Sequence, residues 1–133
     1  AITLTTPYGT STETIKLVGY DLSAVQLKPG VPLSVTLHWQ TTAPLSIAYT
    51  SYVHIVNSAG AAVTQSDHRP GGDFYPSSLW HVGEILRDQH NLAIPTDLAD
   101  DTYRLRVGMY YQPQPGMIVG MGDGMEIGSI IVP

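Results

Sequence analysis

Within residues 65–88, QSDHRPGGDFYPSSLWHVGEILRD, the chain gathers Asp67, His68, Arg69, Asp73, His81, Glu84, Arg87 and Asp88 around Phe74, Tyr75 and Trp80. Carboxylates beside imidazoles can move protons, bind cations or hydrogen-bond sugar hydroxyls, and aromatic faces can stack on sugar rings. Charged residues make up only 13% of the chain, so this concentration is not background. Pro70, Gly71, Gly72 and Pro76 forbid a long helix through its first half. The segment is expected to be a long ordered loop between strands, the usual seat of binding residues on a β scaffold.

Each chemistry has its own requirements. The five histidines, His38, His54, His68, His81 and His90, fall in no HExxH or GxSxG pattern and form no pair at helical spacing. Cysteine is absent, which removes thiolate nucleophiles, disulfides and zinc–thiolate sites. Gly120, Gly122 and Gly124 are explained better by a hairpin turn than by a phosphate loop, because no helix follows them. The domain itself is therefore read as non-catalytic, without a cofactor. Asp67, Asp73, Glu84 and Asp88 could supply oxygen ligands to calcium, although their spacing matches no known calcium loop. Tyr75, Trp80, Asp73, His81 and Glu84 form the candidate ligand-binding set on the loop. For Trp80 the competing role is a plug at the open end of the fold.

The elements that must hold these residues are strands. In LSVTLHWQ, Leu33, Val35, Leu37 and Trp39 alternate with Ser34, Thr36, His38 and Gln40; in TYRLRVGMY, Tyr103, Leu105, Val107 and Met109 share one face. Further strands are expected at 2–5, 15–21, 49–56, 62–67, 85–94 and 126–132, separated by Gly- and Pro-rich turns. Short strands with one apolar face predict an all-β antiparallel sandwich. LADDTYRLRVG resembles a tyrosine corner and favours an immunoglobulin-like topology over a jelly roll. The expected core contains Val35, Leu37, Trp39, Leu105, Val107 and Met109.

Strand parity extends the argument to the polar residues. After the loop, Leu86, Asp88, His90, Leu92 and Ile94 share a face; before it, Val63 shares a face with Gln65 and Asp67. If the apolar faces point inward, Gln65, Asp67, Asp88 and His90 form a buried polar cluster. Buried carboxylates must be hydrogen-bonded or paired. Such a cluster either anchors the loop through its backbone N–H groups or forms a metal or ligand site.

Length and charge set outer bounds. The 133 residues fit one domain, 1–133. A net charge of −5 and scattered cations argue against nucleic-acid and anionic-membrane partners. No apolar run approaches the roughly 20 residues of a membrane span, and no signal peptide is legible. The opening at Ala1 reads as a domain cut from a longer protein.

LVGYDL, LSVTLHWQ, YTSYVHIV, QSDHRP, PSSLWHVGEILRD, LAIP and TYRLRVGMY occur in that order across residues 15–111. This series resembles an accessory domain of Chloroflexi-type bacterial membrane glycosyltransferases, similar to dolichyl-phosphate-mannose–protein mannosyltransferases. One departure is Asp101-Thr102 before Tyr103, where the resemblance leads one to expect glycine. The resemblance implies an extracytoplasmic domain tethered through a membrane-spanning region outside this segment, and it transfers no catalytic residues. The expected function is an accessory domain that binds glycan or a membrane-enzyme partner through the 65–88 loop. The alternatives are a structural spacer or cap, and a calcium-assisted carbohydrate-binding module.

Overall fold

The computed structural model describes residues 2–8, 11–24, 26–72, 75–120 and 125–131, with side-chain surroundings for 13–24, 26–72, 75–118 and 120. The strands are β1 (Ile2–Tyr8), β2 (Ser11–Leu22), β3 (Leu33–Thr41), β4 (Thr50–Val56), β5 (Ala62–His68), β6 (Ile85–Leu92), β7 (Thr102–Gln114), β8 (Met117–Gly120) and β9 (Met125–Ile131). One sheet runs β1-β2-β3-β6; the other runs β5-β4-β7-β8, with β9 also on β7. The described pairings are all antiparallel. The chain changes sheet from β3 to β4, from β5 to β6 and from β6 to β7, which gives the immunoglobulin-like sandwich expected from the sequence. The short strand β8 was not foreseen; it follows the turn at 115–116 and pairs back on the end of β7.

Alternation places the apolar residues inside. Val35, Leu37, Trp39, Leu105 and Val107 are fully buried and Met109 nearly so, in one cluster with Val53 and Ile55 of β4. His38 points the other way and pairs with Asp21 at 3.1 Å on the exposed face, as its parity requires.

The corner before β7 follows the expected pattern. The Tyr103 hydroxyl donates to the Ala99 carbonyl at 2.6 Å while its ring is buried. Asp101, the departure noted above, has work of its own. Its carboxylate accepts from the Thr102 N–H at 2.7 Å and from the Ser58 hydroxyl at 2.8 Å, joining the β4–β5 turn to the corner. The Ser58 hydroxyl above all, with the Ser58 and Thr102 N–H groups, holds this carboxyl below its ordinary range. Tyr103→Phe is expected to cost about 1 kcal/mol in chemical denaturation, since it removes one hydrogen bond and keeps the ring.

Candidate functional site

The predicted inward residues of β6 are inward. Asp88 is 2% exposed and His90 fully buried, between Leu86 and Leu92 on the same face. Besides each other, their partners come from three strands. Asp88 Oδ2 accepts from Trp39 Nε1 of β3 at 3.0 Å and from the Ser51 hydroxyl of β4. His68 Nε2 of β5 faces Asp88 Oδ1 at 2.6 Å, and His90 Nε2 faces Oδ2 at 3.1 Å. His90 Nε2 also meets Ser51 Oγ at 2.6 Å, and its Nδ1 meets Ser66 Oγ at 2.9 Å. Because the single Ser51 proton goes to Asp88, the His90 Nε2 proton is the one directed at Ser51 and the carboxylate. Burial pushes Asp88 up, but the His90 hydrogen bond and charge, with Ser51 and Trp39, outweigh it and hold the pKa at about 2.

Two expectations about this cluster need correction. Gln65 and Asp67 lie on the exposed face of β5, and Thr64, Ser66 and His68 take the inner side. The cause is a bulge: Ile55 pairs with Thr64 but Val56 with Ala62, so Val63 has no partner and the alternation slips by one residue. Val63 still packs against the core, so its apolar character gave the wrong parity for the rest of the strand. The second correction concerns the donors to Asp88, which are side chains of the strands and not N–H groups of the loop.

Ser51, His90 and Asp88 are the residue types of an acyl-transfer triad, but their arrangement is not one. Asp88 and Ser51 meet the same ring nitrogen, Nε2, whereas a triad orients the imidazole through the opposite nitrogen. His68, Asp88 and His90 also present ligand atoms within 4.8 Å of one another. The two imidazoles, however, stack nearly parallel, 3.9 Å apart at 11°. A metal lies in the plane of each imidazole that binds it, so one ring would have to turn out of the stack before both could share an ion. The arrangement as it stands is a closed hydrogen-bond network across the two sheets.

The loop of residues 69–84 is sewn down in the same manner. Gly71 and Gly72 take positive φ angles of 81° and 73° in the turn that leaves β5. A short 3-10 turn, Ser77–Leu79, follows, and Ser77 accepts from the Tyr49 N–H at 2.7 Å and donates to the Ile47 carbonyl at 2.7 Å. Trp80 is 5% exposed within the core, with its indole N–H on the Tyr75 carbonyl at 3.1 Å. Trp80 is thus the plug, and its face is not open to a sugar. Tyr75 is half-buried, and its hydroxyl donates to Glu84 and accepts from the His81 N–H at 3.2 Å. The hydrogen bond to Glu84, with burial, raises the Tyr75 pKa. Asp73 lies outside the described residues. The calcium set does not assemble: Asp67 is on the outer face, Asp88 in the core, and Glu84 is engaged by the loop. Tyr75→Phe is expected to speed exchange of the His81 amide proton while costing at most about 1 kcal/mol overall. Unchanged exchange would show that the hydroxyl does not restrain the loop.

Sequence reasoning missed the buried Ser51 and Glu13, and the partly exposed Ser66 and His68, as members of hydrogen-bond networks. Glu13 accepts from the Tyr49 hydroxyl at 2.8 Å and the Ser46 N–H at 2.6 Å, fixing the β3–β4 connection beneath the loop. Serine on a strand carries no signal of its own, but an inward parity for Ser51 follows once Val53 and Ile55 are placed in the core.

No protein-family model matches the chain, and no curated protein does. Among solved structures, it is similar to part of a β-glucuronidase from glycoside hydrolase family 2, with TM-score 0.56 and 14% identity over 86% of this chain. The chain spans 11% of that enzyme's length. At this identity the likeness concerns the fold.

Proposed function

We propose that the chain is a non-catalytic accessory domain of a larger membrane glycosyltransferase, held on the extracytoplasmic side, in which loop 69–84 seals one end of the sandwich. The observation that carries this reading is the closure of the Asp88 network. Asp88 and His90, the groups best suited to acid–base work, are buried, and their hydrogen bonds go to each other and to the side chains of Trp39, Ser51, Ser66 and the partly exposed His68. The order of motifs over residues 15–111 supports the association with a glycosyltransferase. A sandwich of this fold also forms a minor part of a much longer carbohydrate-active enzyme, which suits an accessory role.

The burial of Trp80 and the capture of Tyr75 by Glu84 favour a capping role for the loop over ligand binding through it. No helix of the described residues is long and apolar enough to cross a membrane. Two measurements test the reading. The isolated chain should release no nitrophenol from a panel of nitrophenyl glycosides, and turnover abolished by His90→Gln would overturn the non-catalytic assignment. In spheroplasts producing the full-length protein, external protease should remove an epitope inserted in the exposed turn at 58–60. A protected epitope would overturn the location.

A further inference from the structure

The outer face of the second sheet is built differently from its interior. Across β5, β4 and β7, Asp67 pairs with Tyr52 and Tyr52 with Gly108; one row along, Gln65 pairs with His54 and His54 with Arg106. Tyr110 comes next on β7, opposite Gly120 of β8. These side chains point outward because Val53, Ile55, Leu105, Val107 and Met109, alternating with them, fill the core.

Glycine at 108 has a specific reason. A Cβ there would sit 2.6 Å from Tyr52 Cζ, so the Tyr52 ring lies across the bare backbone of β7. The His54 ring centroid is 4.7 Å from that of Tyr52, and the Tyr110 centroid 6.1 Å, at tilts of 43° and 36°. These rings border a cleft of about 350 Å³, with Gln65, Asp67 and Ile118 on its walls. Ile118 is 62% exposed, so the cleft has an uncovered apolar side.

The polar groups of the cleft are only partly satisfied by one another. Asp67 Oδ2 accepts from the Tyr110 hydroxyl at 2.9 Å, and burial together with Asp67 raises the Tyr110 pKa to about 12. Asp67 Oδ1 stands 3.5 Å from His54 Nε2, an ion-pair distance if the ring is protonated. That nitrogen is sealed from solvent and makes no hydrogen bond, unlike every other buried side-chain nitrogen or oxygen among the described residues. Leaving such an atom unpaired is costly, and a ligand hydroxyl, both donor and acceptor, can relieve it as Asp67 adjusts.

We propose that this cleft binds the pyranose ring of a neutral carbohydrate, stacked on Tyr52 and Tyr110, with Gln65, Asp67 and His54 bonding its hydroxyls. A sugar fits on three counts. Its C–H face carries the partial positive charge that an aromatic face attracts. Its hydroxyls match a wall that mixes a carboxylate, an amide and an imidazole. The volume falls at the lower end of small-molecule sites, roughly 300–1,000 Å³. Asp67 and the net charge of −5 disfavour an acidic sugar. The proposal goes beyond the accessory reading and needs neither the enzyme nor the membrane. No residue of loop 69–84 takes part in it.

The test is titration of the 15N-labelled chain with methyl α-mannopyranoside, methyl β-glucopyranoside and methyl β-galactopyranoside, followed by amide NMR. At least one glycoside is expected to give saturable shifts at Tyr52, His54, Asp67 and Gly108. Tyr52→Ala should weaken that binding roughly tenfold, and Val82→Ala, on the exposed loop, should leave it unchanged. Should Tyr52→Ala fail to fold, Gln65→Ala removes an exposed side chain and should weaken binding several-fold. Flat titrations with all three sugars would overturn the proposal, as would shifts confined to residues 75–84 or tighter binding of methyl β-glucuronide. Shifts on this face caused by tryptone peptides and by none of the glycosides would reassign it to a protein partner.

Discussion

Asp88→Ala is expected to lower the unfolding free energy by roughly 3–5 kcal/mol, because several buried or partly buried donors lose the same acceptor at once. The substitution leaves the Trp39 indole N–H and the Ser51 hydroxyl without their acceptor, and deprives His68 and His90 of their shared partner. Each orphaned buried group carries its own desolvation penalty. Urea denaturation followed by tryptophan fluorescence would measure the loss; a change under about 1 kcal/mol would show that the cluster does not hold the fold. The same carboxylate predicts a pH dependence. Its folded pKa, about 2, lies below its ordinary value of 3.8, so the folded chain binds fewer protons through this window. The stabilisation is therefore complete above the unfolded value and is lost as pH falls through the folded one, and it amounts to roughly 2 kcal/mol. Asp88→Asn should lack this acid-dependent component while starting from a lower stability at neutral pH.

Trp39→Ala is expected to cost about 5 kcal/mol, at the top of the range for emptying a large aromatic site. Two effects combine there. The fully buried ring leaves a cavity in the centre of the sandwich, and the indole N–H no longer satisfies Asp88. Trp39→Phe separates them: it keeps most of the ring and should cost only about 1–2 kcal/mol through the lost hydrogen bond. Equal losses for the two variants would mean that the N–H and not the volume dominates.

The sandwich was legible because its strongest signals agree. The alternation in β3 and β7 marks the core, and the acidic turn before Tyr103 marks the corner where the hydroxyl of Tyr103 meets the carbonyl of Ala99. The burial of Asp88 and His90 was legible for a related reason: they share β6 parity with Leu86 and Leu92, and that strand runs without a slip against β3. The parity of β5 was not legible. A bulge at Val63 is a matter of hydrogen-bond geometry between two strands, and nothing in AAVTQSDH announces it. Partners far apart in sequence were hidden for the same reason. Ser51 and Asp88, or Glu13 and Tyr49, are neighbours only after the sheets close. The outer patch escaped notice because Tyr110 is far in sequence from Tyr52 and His54, and each of the three is ordinary alone. Gly108 acquires its meaning only from the ring laid across it.

The Asp88 network has a mechanical consequence. Apolar faces are slippery, and two greasy sheets can trade one set of contacts for another as they shift. Here Asp88 and His90 reach from one sheet to Ser51, Ser66 and His68 on the other. A sideways displacement by a single residue, about 3.3 Å, would rupture all these cross-sheet bonds together with nothing to replace them. The plates are keyed to one another, so a pull applied along the chain meets a lock at β4, β5 and β6. Yielding should be abrupt, with little gradual creep before it.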